Sequence, residues 1–197
     1  MAKAYTLDGN VIVMHKELTV LDIFVKDFLD ILKKHTSYLI VSGFVSIATG
    51  RVRGTEDVDI LIPTINGVCF RKLFDDLVAG GFWCYQSDDV NEAYSYITAL
   101  SHIRFARNGE MFPNIEFIPV NETKKTQFFE LHHPQKMRIQ SFDFDVPPLE
   151  FEILYKETVL RSPKDIADAK HLRTVFADIL HTQKFESFKT IIKHALP

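Results

Sequence analysis

The sequence predicts an α+β protein: a mixed sheet flanked by helices over residues 1–146, followed by a helical subdomain over 147–197. Three observations carry this. Apolar runs of strand length alternate with amphipathic helical segments as far as Val146. From Leu149 onward the apolar spacing is helical throughout. Gly, Pro and capping residues stand where the pattern changes.

Taken in order, residues 19–34 form an amphipathic helix, with Leu21, Phe24, Val25, Phe28, Leu29 and Leu32 on one face. Thr19 caps it and Asp22, three residues on, completes a capping box. "YLIV" is a buried strand, "FVSIAT" a short helix closed by Gly50, and "DVDILI" a strand ended by Pro63. "VCFRKLFDDLVAGG" is a helix with Phe70, Leu73, Phe74 and Leu77 inward and a Gly80-Gly81 stop. "FWCYQ" is a short strand, while "NEAYSYITAL" fits helix or strand. "HIRFAR", the turn "NGE" and "NIEFIPV" form a hairpin whose second strand is shortened by Pro113. After a helical patch near "TKKTQFFELH", "KMRIQ" and "FDFDV" are strands. Three helices complete the chain: "LEFEILYKETVL", "PKDIADAKHLRTVFADIL" and "FESFKTIIKHAL", the second capped by Ser162 with Pro163 in its first turn.

Composition narrows the function classes. The 197 residues are 46% hydrophobic and 25% charged, as in ordinary globular proteins. A net charge of -3 gives no whole-molecule attraction to nucleic acid or anionic membranes, a local patch aside. Cys69 and Cys84 show no CxxC spacing and are expected to be buried thiols in a reducing compartment. The segment "MAKAYTLDGN" has no apolar core, and no apolar run approaches membrane-spanning length. The expectation is a cytoplasmic protein without a membrane partner.

Asp57 and Asp59 carry the chemistry. In a strand they share one face, while Val58, Ile60 and Ile62 point into the core. Two adjacent carboxylates repel, and a divalent cation relieves that repulsion. Mg²⁺ suits hard oxygen ligands on a rigid strand and shares its remaining positions with phosphates and water. Taken alone, the DxD pattern is better read as a strand end whose acids face solvent or pair with Arg51 or Arg53. Its context changes the balance. The upstream order of strand, Ser42-Gly43 and helix offers free backbone N–H groups and a close approach for phosphate. A lone His132-His133 pair lacks a third ligand and reads as a surface loop.

The segment running through Gly43, Gly50, Arg53, Thr55, Asp57 and Asp59 resembles the signature of the DNA-polymerase-β-type nucleotidyltransferase superfamily. Lys156, Arg161, Lys164, Asp165 and Asp168 resemble the helical pattern of its small stand-alone prokaryotic members related to abortive-infection toxins. The resemblance implies a nucleotidyltransferase-like sheet and two-metal transfer of a nucleoside monophosphate from an NTP, with a toxin–antitoxin-like setting. Asp57 and Asp59 would hold Mg²⁺, or Mn²⁺ in its place. Glu116 would be the third carboxylate, where the family usually has Asp. Ser42, Gly43, Arg53 and Thr55 would serve the nucleotide, with Lys156 and Lys164 as contacts from the helices. Ser42 stands where the family usually has glycine. By residue type alone, Glu116 also reads as an exposed edge-strand acid, the two lysines as solvated, and Asp165 and Asp168 as acids favoured by a helix start. The acceptor stays open among a protein hydroxyl, an RNA end, an antibiotic and a small metabolite. Two rivals remain: a catalytically silent binding protein on the same fold, and a metal-dependent phosphohydrolase.

Overall fold

A computed structural model describes residues 3–195 of the chain. It is α+β, with two mixed sheets flanked by helices. The first is five-stranded, in the order β3 (Leu39–Ile40), β4 (Asp57–Pro63), β7 (Asn114–Val120), β6 (Ile103–Arg107) and β5 (Phe82–Cys84). Only the β4–β7 pair is parallel in that sheet.

The second sheet was not legible in the sequence. It runs β1 (Tyr5–Asp8), β2 (Val11–Met14), β8 (Gln135–Ile139) and β9 (Phe142–Val146). The β8 and β9 strands were expected, but β1 and β2 are only four residues each. They form a hairpin around Asp8-Gly9-Asn10, where Gly9 takes a positive φ of 57°.

The helix α1 (Val20–Leu32) begins with the expected capping box between Thr19 and Asp22. Lys16 adds an ion pair to the buried Asp22 at 2.7 Å. The helices α2 (Gly43–Ala48) and α3 (Gly67–Ala79) also match expectation. The ambiguous "NEAYSYITAL" is helical as α4 (Val90–Thr98), with Asp89 as its cap. Ala93 and Ile97 are its buried residues, four apart as a helix requires. The patch before the histidines is α5 (Lys125–His132). His132 ends this helix, and His132 and His133 each pair Nδ1 with a carbonyl four residues back.

The inner face of the first sheet packs on α1 and α3. Phe28 meets Phe82, Phe105 and Phe117 with ring centroids 5.0–5.9 Å apart. Val58, Ile60 and Ile62 are fully buried there, as their alternation requires. Residues of the second sheet, including Met137, Ile139 and Phe144, belong to the same core, as do Leu149, Ile153, Ala169 and Leu172 of the C-terminal helices.

"LEFEILYKETVL" is not a uniform helix. It is α6 (Leu149–Tyr155) followed by a π-helical turn over Lys156–Leu160, ended by Arg161 at φ 59°. The next helix, α7 (Pro163–Val175), starts with a Ser162–Asp165 capping box and stops short of the predicted end. The last is α8 (Thr182–Ala195). Cys69 and Cys84 are both unpaired, with Cys84 buried and Cys69 half-buried.

Two expectations for the helical part are corrected. Asp168 is not a surface acid at a helix start: it is completely buried. It pairs with Arg51, with Arg53 at 2.7 Å and with Lys156 at 3.3 Å. Lys156 is not solvated either. It has no exposed side-chain surface and lies 3.2 Å from Glu152 and 3.8 Å from Asp165 as well. A buried acid survives ionised only when such partners surround it. Asp168→Ala is therefore expected to leave Arg51 and Arg53 without their carboxylate partner, to remove one of the three acids around Lys156, and to cost about 3–5 kcal/mol, measured by urea denaturation. A loss below about 1 kcal/mol would show that the network contributes no more than surface pairs do.

Candidate functional site

The outer face of the first sheet is divided along its length. Leu39, Leu61 and Val120 form an apolar half covered by Leu131 of α5. The other half carries Asp57, Asp59 and Glu116. The parallel register of β4 and β7 sets Asp59 directly opposite Glu116. One ligand oxygen from each of the three acids lies within 4.8 Å of the others. Glu116 thus stands beside the aspartates and is not an isolated edge acid.

Each carboxylate has a different setting. Thr55 donates its hydroxyl to the Asp57 backbone carbonyl at 2.8 Å and reaches its Oδ1 at 3.4 Å, which fixes that end of β4. Glu116 is held by His102 at 2.9 Å and by Arg104 at 3.0 Å, both on the same oxygen. Burial raises the Glu116 pKa, but these two partners outweigh it and hold the carboxyl below its ordinary value. Asp59 goes the other way. Burial, then the charges of Asp57 and Glu116, push it up to about 7, against a smaller lowering by the Ser42 hydroxyl. An acid this reluctant to ionise beside two others, with an all-oxygen donor set, is the environment a hard divalent cation relieves.

Ser42 precedes α2 with φ 64° and ψ -129°, a conformation that favours glycine. Its side chain makes no capping bond to the helix. Gly43 has a definite steric role. A Cβ there would sit 2.9 Å from Nη2 of Arg53 and 3.2 Å from its Cζ. The missing side chain lets the Arg53 guanidinium lie over the start of α2 while Asp168 holds its other side.

Two hollows flank the acids. On the Asp57 side is an open cleft of about 610 Å³ where the basic Arg51, Arg53 and Lys164 outnumber the acids Glu56 and Asp57, with Thr55 between them in the chain. On the Asp59 side is a narrower cavity of about 200 Å³, reached by Ser42, Glu130 and Glu152, with Leu61 and Ile118 among its walls. The structure therefore brings Asp57, Asp59, Glu116, Arg53, Thr55 and Lys164 to one locality, with Ser42 and Gly43 at its edge. Lys156 is not among them: buried under three acids, it presents nothing to the cleft, and its expected phosphate contact is withdrawn.

The sequence reading missed His102 and Arg104, the partners of Glu116. Arg104 was in principle findable, because the predicted hairpin places it opposite Glu116. It also missed Glu130 and Glu152, which read as ordinary polar positions on helices. No protein-family model matches the chain, and no curated protein matches it in sequence. Among the described residues no helix is long and apolar enough to cross a membrane.

Two outcomes test this geometry without reference to activity. Between about pH 4 and 7 folded Asp59 holds a proton that the unfolded chain has released, so metal-free stability falls as pH rises through this window. Asp59→Asn is expected to raise the melting temperature at pH 8, with the gain shrinking toward pH 5; an equal gain at both would refute the raised pKa. Ser42→Gly is expected to stabilise the fold by about 1 kcal/mol, read from chemical denaturation, because it relieves the positive φ. A destabilised Ser42→Gly protein would mean that the hydroxyl contact with Asp59 outweighs the backbone strain.

Proposed function

We propose that the protein is a nucleotidyltransferase, which moves a nucleoside monophosphate from an NTP to a hydroxyl acceptor and releases pyrophosphate. The observation that carries this is the convergence of Asp57, Asp59 and Glu116 beside a basic cleft. The resemblance of the Arg53–Asp59 segment to the DNA-polymerase-β-type superfamily supports it, and residues 147–197 are then its helical subdomain. Mg²⁺, or Mn²⁺, held by the three carboxylates would neutralise triphosphate charge and lower the pKa of the acceptor hydroxyl.

The chain's own residues supply the rest. Arg51, Arg53 and Lys164 give the β- and γ-phosphates a cationic wall. Asp168 keeps both guanidiniums in place. Thr55 fixes Asp57, while His102 and Arg104 fix Glu116. The acceptor oxygen forms a bond to the α-phosphorus in line with the leaving group. The bond from the α-phosphorus to the bridging oxygen breaks, pyrophosphate departs with the electron pair, and the hydroxyl proton passes to solvent.

A silent binding protein is the second reading, favoured by the two partners, His102 and Arg104, already on Glu116. Calorimetry with Mg²⁺ and a non-hydrolysable NTP separates the two, together with four α-labelled NTPs incubated with cell extract. Asp57→Asn and Asp59→Asn are each expected to abolish Mg²⁺-dependent nucleotide binding. Glu116→Gln is expected to spare binding and lose transfer. MgATP binding unchanged in either aspartate variant refutes the metal site, and equal loss of binding in all three refutes the separate role of Glu116. A parent protein that binds MgATP and labels nothing is a silent scaffold.

A further inference from the structure

The cavity on the Asp59 side contains a group that the proposed chemistry leaves unused. Glu130 of α5 is only 2% exposed, and it lines this cavity. No hydrogen bond or ion pair to its carboxyl is formed among the described residues. Glu152 of α6, equally buried, lines the same space. Lys156 is the cation between these helices, yet it is shared by Glu152, Asp165 and Asp168. Lys124 also lines the cavity, but its ammonium is directed to the Leu100 carbonyl at 3.3 Å. Glu130 is thus a buried acid that feels Lys156 at a distance but has no ion pair of its own, facing open space. Burial, and then the nearby Glu152, hold its pKa well above the ordinary value.

The surroundings say what would complete it. The cavity is mostly apolar, with Leu61, Ile118 and Leu160 in its walls, and has the Tyr155 hydroxyl and the Gln127 amide as further polar groups. Its volume of about 200 Å³ equals several water molecules at ~30 Å³ each. A phosphate would meet carboxylates here, while the cationic cleft lies on the Asp57 side. His102, which holds Glu116, belongs to this cavity.

We propose that this cavity is the acceptor subsite, and that it takes a small organic cation: a hydroxyl-bearing primary amine whose ammonium pairs with Glu130 and whose hydroxyl faces Asp59 and Glu116. This rests on the nucleotidyltransferase reading for the word acceptor, but the cation subsite itself does not. A buried carboxylate gains most from a partner that supplies both charge and hydrogen bonds. The apolar walls accept the carbon skeleton, and the partition of the two hollows keeps acceptor and triphosphate on opposite sides of the carboxylates.

Binding is measured at pH 7 without metal or nucleotide, using ethanolamine against ethylene glycol and glucosamine against glucose. Each pair shares a skeleton and differs in the ammonium. At least one amine is expected to bind tenfold or more tightly than its neutral twin. Glu130→Gln is expected to remove that preference, and Leu160→Trp, which fills the cavity from its rim, to remove binding altogether. If Glu130→Gln does not fold, Leu160→Trp decides alone. Equal affinity within both pairs, no binding of any of the four, or an amine preference that survives in the folded variants overturns the proposal. Adenosine that binds the parent and is lost in Leu160→Trp overturns it too, because the cavity then belongs to the nucleobase. MgATP binding to the parent is recorded separately. Its absence refutes the nucleotidyltransferase reading and leaves the cation result to stand on its own.

Discussion

The parallel pairing of β4 with β7 is the constraint on which the rest of the site depends. It is the only parallel pair in its sheet, and it puts Asp59 opposite Glu116. Strand periodicity then does two things at once. It turns Val58, Ile60 and Ile62 into the phenylalanine-rich core beneath, and it turns Asp57 and Asp59 outward beside Glu116. A one-residue slip would exchange the two faces and bury the acids among Phe28, Phe105 and Phe117. The cost of burying those charges adds to the apolar contacts in enforcing the register. The carboxylate cluster is therefore built into the same pairing that holds the sheet together.

A second layer of charge ties the helices to this strand. Arg51 and Arg53 leave the loop before β4 and end on Asp168 of α7. Lys156 joins the same carboxylate from the π-helical turn after α6. That turn closes its hydrogen bonds five residues apart rather than four, as from Arg161 N–H to the Lys156 carbonyl, a geometry frequent at functional sites. Here it accompanies an ammonium placed among Glu152, Asp165 and Asp168. The arrangement fixes where the two arginines stand. In the proposed chemistry, Asp168 thereby positions the cationic wall without meeting the nucleotide itself.

The legible parts of the sequence were those written in local periodicity and capping. The helices α1 and α3, the strand β4, the Thr19 and Ser162 caps and the outward face of Asp57 and Asp59 follow from neighbours within a few residues. What was not legible depends on distant partners. The strands β1 and β2 are too short to announce themselves and are completed by β8, over a hundred residues away. The burial of Lys156 and Asp168 could not be inferred, because each looks like a solvated residue until the other and the arginines of the β4 loop are present. Glu130 and Glu152 were missed for the same reason.

The two hollows bear on how one site can hold ligands of opposite charge. Repulsion among Asp57, Asp59 and Glu116 penalises the metal-free state, most of all at Asp59. In the proposed chemistry, a cation bound there would make the centre hospitable to a triphosphate on the Arg51–Arg53–Lys164 side. Glu130 and Glu152 line the other hollow, a partly apolar cavity. A phosphate that strayed to that side would face two buried acids, and an amine that strayed to the other would face two arginines. The same carboxylates would thus serve as hinge between a cationic half and an anionic half. The direction of transfer would then follow from the charge pattern of the strand and its covering helices.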